Sequence, residues 1–107
     1  MSIFFSESRT QVDEFTLSAD GNTDTIRWRG GKGTFGAQGT FGGGTVKLQM
    51  SMDSGTTWIE ADQSGTEATF TSNGFYNFEF AEGVLLRANL AGATAPDLEI
   101  IFSELPL

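Results

Sequence analysis

The sequence predicts an all-β protein, with residues 1–107 forming a single antiparallel β-sandwich of jelly-roll or immunoglobulin-like type. Segments of about four to eight residues alternate apolar and polar side chains, and they recur roughly every ten to twelve residues. Gly, Asn, Asp and Ser separate these segments, and no segment has the period of a helix. Within the sandwich, residues 1–11 are a possible N-terminal arm, and residues 30–44 form a Gly-rich extended arm or loop.

The alternation places the strands and their buried faces. We expect strands over residues 12–19, 24–29, 45–51, 57–61, 67–72, 75–80, 84–90 and 98–103. Because side chains alternate between the two faces of a strand, parity predicts the inward residues. These are Phe15, Leu17, Ile26, Trp28, Val46, Leu48, Met50, Ala68, Phe70, Tyr76, Phe78, Phe80, Val84, Leu86, Ala88, Leu98, Ile100 and Phe102.

The Gly-rich segment, residues 30–44, contains a short repeat. Gly33-Thr34-Phe35-Gly36 recurs six residues later as Gly39-Thr40-Phe41-Gly42. An even offset puts Phe35 and Phe41 on the same side of an extended chain. The segment is therefore either a kinked core strand whose two Phe fill the interior, or an arm whose two Phe dock on a neighbouring subunit. A flexible linker is the third alternative.

One motif predicts a tight structural hairpin. Ser51-Met52-Asp53-Ser54-Gly55-Thr56-Thr57-Trp58 matches the Asp-box pattern known from sialidase propellers. We expect Asp53 to accept hydrogen bonds from turn N–H groups, Gly55 to adopt a conformation closed to other residues, and Trp58 to pack beneath the turn, with Ser51 opening the motif. A single copy in so short a chain indicates a turn and not a sialidase.

Composition argues against an enzyme. The chain has no His and no Cys, so the commonest general base, the thiol nucleophile and the usual transition-metal ligands are missing. Asp20-Gly21-Asn22-Thr23-Asp24 resembles the start of a calcium loop, but Thr25 and Gly31 replace the Gly and Glu that such a loop needs. We therefore expect no catalytic site, cofactor or metal.

Charge limits the partners. The net charge of −8 disfavours binding to nucleic acid, and no apolar stretch approaches the length of a membrane span. The start of the chain lacks a secretion signal, so the protein is expected to be made in the cytoplasm. Arg27, Arg29 and Lys32 are crowded into one short segment. They are either a solvated face or a contact for an acidic partner.

Two segments carry a resemblance to a group of known proteins. Residues 39–49 read Gly-Thr-Phe-Gly-Gly-Gly-Thr-Val-Lys-Leu-Gln and run into the Asp-box motif, and residues 83–93 read Gly-Val-Leu-Leu-Arg-Ala-Asn-Leu-Ala-Gly-Ala. From residue 31 to residue 103 the chain resembles small virion proteins of tailed bacteriophages, particularly those that decorate or cement the capsid. The resemblance implies a β-sandwich in the virion, made in the host cytoplasm, that oligomerises, often as a trimer.

The resemblance further implies a non-enzymatic protein that binds and stabilises the lattice of the major capsid protein, or another virion protein. Its interface is then expected at the exposed apolar and basic residues Ile3, Phe4, Phe5, Arg27, Arg29, Lys32, Phe35 and Phe41. The alternative is a receptor- or carbohydrate-binding module of a tail or fibre, presenting aromatic side chains such as Trp28 or Tyr76 to solvent. Parity places both of these inside.

Overall fold

A computed structural model describes residues 11–63 and 66–104, and all but two of their strands form two antiparallel sheets that pack face to face. The strands are β1 (Val12–Leu17), β2 (Gly21–Asn22), β3 (Ile26–Arg27), β4 (Gly31–Thr40), β5 (Thr45–Ser51), β6 (Ile59–Glu60), β7 (Asp62–Gln63), β8 (Thr66–Glu67), β9 (Thr69–Phe70), β10 (Gly74–Phe80), β11 (Leu85–Ala91) and β12 (Asp97–Glu104).

The first sheet, sheet A, has the strand order β1-β12-β4-β10. In sheet B the order is β2-β11-β5-β6. Strand β3 also pairs with β11, and β9 also pairs with β5. Each edge of sheet B therefore consists of two short pieces. Successive strands mostly alternate between the two sheets, and this order is that of a jelly roll. Of the two sandwich types that the sequence leaves open, the structure has this one.

The edge of sheet B beside β5 is interrupted by a small excursion. The Ala61 N–H donates to the Leu48 carbonyl, and the Leu48 N–H donates to the Ala68 carbonyl. Between these two contacts the chain leaves the sheet and forms the β7–β8 hairpin. The strands expected over 57–61 and 67–72 are for this reason only two residues long.

Burial confirms the inward faces that parity predicts. Every residue named for its inward parity is buried or partly buried in the core cluster. Aromatic rings form two groups within this core, one with Trp28 against Phe78 at a centroid distance of 4.9 Å and the other with Phe35 against Phe102 at 5.1 Å. Large apolar side chains from both sheets therefore provide the interior.

The expectation of a Gly-rich extended arm or loop is wrong. Most of residues 30–44 form β4, which lies inside sheet A and pairs with β12 on one side and β10 on the other. Phe35 is fully buried and Phe41 is 7% exposed, so both rings belong to the core. The alternative of a core strand is thus the correct one. Its glycines allow close packing: at Gly33, a Cβ would lie 2.6 Å from the Trp28 ring.

Candidate functional site

The structure divides the expected interface residues into three groups. Phe35 and Phe41 cannot anchor a partner, because their rings are buried between the sheets, and their assignment to the interface is wrong. Arg27, Arg29 and Lys32 are exposed, and the connection from β3 to β4 brings them to one end of the sandwich. The expected contacts Ile3, Phe4 and Phe5 lie outside the described residues.

A clamp holds the segment that carries the three cations. The Gln11 side chain donates from Nε2 to the Arg27 carbonyl (2.9 Å), and its Oε1 accepts from the Arg29 N–H (3.0 Å). Between them, the Trp28 indole N–H donates to the Gly31 carbonyl at 3.1 Å. Within the described part of the chain, no carboxylate lies within 4.0 Å of the Arg27, Arg29 or Lys32 side-chain nitrogens. The segment thus offers positive charge on a fixed backbone.

The Asp-box turn has the expected structural role. Asp53 Oδ1 accepts hydrogen bonds from the Thr57 N–H and the Ser51 hydroxyl, each at 2.8 Å. The buried Ser51 Oγ in turn accepts from the Gly55 N–H at 2.9 Å, and Gly55 has a positive φ of 91°. Bonds to the charged carboxylate, that from Thr57 above all, hold the pKa of Asp53 below its usual value.

Trp58 joins this turn to the outer face of sheet B. Its indole N–H donates to the Gly55 carbonyl at 3.1 Å, and the Arg87 guanidinium lies 4.0 Å above its ring centroid. Arg87 also donates from Nε to Gln49 Oε1 at 2.8 Å. Lys47 makes a salt bridge of 3.2 Å to Glu60 on the same side of the sheet. The polar side chains of this face are therefore largely occupied with one another.

In the loop that resembles a calcium site, side-chain oxygens accept hydrogen bonds from other parts of the chain. The Asp20 carboxylate accepts from the Gly92 N–H at 3.1 Å and from the Ala93 N–H at 2.9 Å. Asn22 accepts from the Asn89 side chain at 2.8 Å. These oxygens tie the loop to the end of β11. Over residues 11–63 and 66–104, no group of three or more His, Cys, Asp or Glu side chains is placed to hold a metal ion.

The outer face of sheet A differs from that of sheet B. Ile101, Gly36 and Phe75 lie side by side on β12, β4 and β10. Because Gly36 has no side chain, a depression of about 580 Å³ opens between its two neighbours. The Phe75 ring forms one wall and is 68% exposed, whereas Trp28 and Tyr76 are buried. Among the described residues, Phe75 is thus the aromatic side chain that this face presents to solvent.

The depression continues along the sheet. A second hollow of about 430 Å³ shares Gln38, Asn73 and Glu99 with the first, and a third hollow adjoins it at Gly39 and Asn73. We call the three together the sheet A groove. Its polar lining includes the hydrogen-bonded pair Gln38 Nε2 to Glu99 Oε1, at 2.8 Å, and the Asn73 side chain, which accepts from the Gly39 N–H at 2.9 Å.

The sequence holds part of the signal for this groove. The alternation that turns Tyr76 and Phe78 inward necessarily turns Phe75 outward. No local pattern, however, shows that Gly36 separates Phe75 from Ile101, because those residues are far apart in the chain and meet only through strand register. The sequence alone therefore does not identify Phe75 or the groove as an interface.

No helix among the described residues is long and apolar enough to cross a membrane. No protein-family model matches the sequence, and comparisons with curated proteins and with solved structures give no match either.

Proposed function

We propose that this chain is a non-enzymatic structural protein of a bacteriophage virion that decorates the capsid and stabilises the lattice of the major capsid protein. The observation that carries the proposal is the resemblance over residues 31–103, in the Gly-rich strand, the Asp-box hairpin and the segment at residues 83–93. In the fold these segments include β4 of sheet A, the paired strands β5 and β11 of sheet B, and the turn from β4 to β5. They are therefore parts of one sandwich core.

The contact with the capsid is proposed at the end of the sandwich that carries Arg27, Arg29 and Lys32. These side chains are exposed, and the Gln11 clamp fixes the backbone beside two of them. Cations on a backbone held in this way attract an acidic partner surface and speed its encounter, while little backbone freedom is lost on binding. The partner is the major capsid protein or another virion protein, and a trimer is the favoured assembly of the decoration protein itself.

The test uses virions of the phage that encodes the chain. A deletion phage supplies capsids without the protein, to which the purified full-length chain is added back. We expect saturable binding at a fixed ratio to the capsid protein, and a higher temperature of capsid disruption once the sites are filled. Absence of the chain from purified virions, or add-back that leaves capsid stability unchanged, would overturn the proposal. Density for the chain on tail fibres would favour the receptor-binding alternative.

A further inference from the structure

The geometry points to the sheet A groove as a binding site for a neutral oligosaccharide, with Phe75 as its stacking surface and Gln38, Asn73 and Glu99 as its hydrogen-bonding groups. This inference does not depend on the virion assignment, because it uses only the outer face of sheet A. A virion protein and a protein of any other location could both carry such a site.

The shape of the groove suits a chain of several units. Its first two hollows have volumes of about 580 Å³ and about 430 Å³, each within the range of ligand pockets at ~300–1,000 Å³. They are open to solvent and joined through Gln38, Asn73 and Glu99. A compact apolar ligand would leave most of this length empty, whereas an extended ligand fills it.

The lining combines one apolar surface with many hydrogen-bonding groups. Phe75 presents an exposed ring beside the bare backbone of Gly36, so a flat ligand ring can approach both. A pyranose has such a face, made of C–H groups, and hydroxyl groups around its rim. Gln38 and Glu99 hold each other in place through their 2.8 Å hydrogen bond. The oxygens outside this bond, Gln38 Oε1 and Glu99 Oε2, can accept hydrogen bonds from ligand hydroxyls. The site thus requires little ordering of side chains on binding.

The charge of the lining selects against anions. Glu14 and Glu99 line the first hollow, and Asp97 joins Glu99 in the second, while no Lys or Arg lines either of them within the described residues. The net charge of the whole chain, −8, acts in the same direction. Phosphorylated, sialylated and uronic-acid ligands are therefore disfavoured. Carboxylates accept strong hydrogen bonds from neutral sugar hydroxyls without this penalty.

The experiment is a titration of the full-length chain, labelled with ¹⁵N, against maltotetraose, cellotetraose and chitotetraose. Polygalacturonate and tetralysine are the charged comparisons. We expect at least one neutral tetrasaccharide to shift the amide signals of Gly36, Gln38 and Phe75, with no shifts from polygalacturonate. Absence of shifts with all three neutral probes, or shifts at the groove with tetralysine alone, would overturn the inference. The second outcome would identify a site for basic peptides.

Two variants and a control test whether the neutral probe binds at the groove. Phe75→Ala is expected to weaken binding of the neutral probe about tenfold or more, because the stacking surface is lost, and Gln38→Ala is expected to weaken it as well. Met52→Ala is the matched control, since Met52 is also an exposed apolar side chain, at 71%, but lies on the Asp-box turn. Equal affinities of Phe75→Ala and Met52→Ala would overturn the inference. The signals of both variants outside the groove report that the fold is retained.

Discussion

The indole ring of Trp28 lies against the backbone of Gly33 so closely that a Cβ at Gly33 would be 2.6 Å from two of its ring atoms and 2.8 Å from the Phe78 ring. The fully buried Trp28 therefore uses the space that a side chain on β4 would occupy. This contact gives a physical reason for a glycine in the middle of a core strand, where glycine otherwise weakens a sheet.

Gly33→Ala is expected to lower the free energy of unfolding by about 1–3 kcal/mol, because the added methyl group overpacks the core at the Trp28 ring. Gly36→Ala is the matched control on the same strand. Its Cβ would face outward, 3.1 Å from the Cγ2 methyl of Ile101, a side chain that borders the open depression. Urea unfolding of both variants measures the difference. Equal losses would contradict the proposed reason for Gly33.

Phe35→Ala and Phe41→Ala are expected to destabilise the isolated domain by about 3–5 kcal/mol each, since truncation of a buried Phe leaves a cavity. Phe35 loses ring contacts with Phe102 at 5.1 Å and with Phe70 at 5.8 Å. Phe75→Ala, which removes a ring that is 68% exposed, should change the melting temperature little. The comparison separates core rings from surface rings. An unchanged melting temperature for Phe35→Ala would contradict the assignment of Phe35 to the core and favour a role at the interface.

The Asp53 carboxylate makes stability depend on pH. Its pKa is lowered in the fold, so the unfolded chain binds its proton more readily. The contribution is fully present above the ordinary aspartate pKa of 3.8 and is lost as pH falls through the lower folded-state value. We therefore expect wild type to be more stable than Asp53→Asn at neutral pH, with the difference shrinking on acidification. Melting curves from neutral to acidic pH check this, and a difference that grows toward low pH would contradict it.

The exposed cations are expected to govern the rate of association with an acidic partner. Arg27→Gln combined with Arg29→Gln should slow association with capsids and reduce its dependence on salt, while the dissociation rate changes little. Lys47→Gln is the matched control, because Lys47 already pairs with Glu60 at 3.2 Å and lies four residues along β11 from the position opposite Arg27. Association kinetics at two or more salt concentrations measure the effect. Identical salt dependence in the double variant and the control would place the interface elsewhere.

Removal of divalent metal should leave the melting temperature unchanged, because the Asp20 carboxylate is already used by the Gly92 and Ala93 N–H groups. Asp20→Ala should instead destabilise the fold by about 1–3 kcal/mol through the loss of charge-assisted hydrogen bonds. Thermal unfolding with and without a chelator, for wild type and Asp20→Ala, tests both parts. A drop of several degrees for wild type with chelator would show that this loop binds a cation.

The sequence by itself determined the class of fold, the inward faces and the Asp-box turn. These features are local: side-chain parity in a strand depends on adjacent residues, and the turn closes through hydrogen bonds among Ser51, Asp53, Gly55 and Thr57. For this reason Trp28 and Tyr76 could be placed in the core without knowledge of their neighbours in space.

Only the tertiary structure decided the role of the Gly-rich segment and the position of the groove. Glycine has no side chain to mark an inward or outward face, so Gly33, Gly36 and Gly39 hide the alternation on which strand prediction depends. The groove depends on the register that brings Ile101, Gly36 and Phe75 into one row. Strand register is a long-range property, because it is set by packing between segments far apart in the chain.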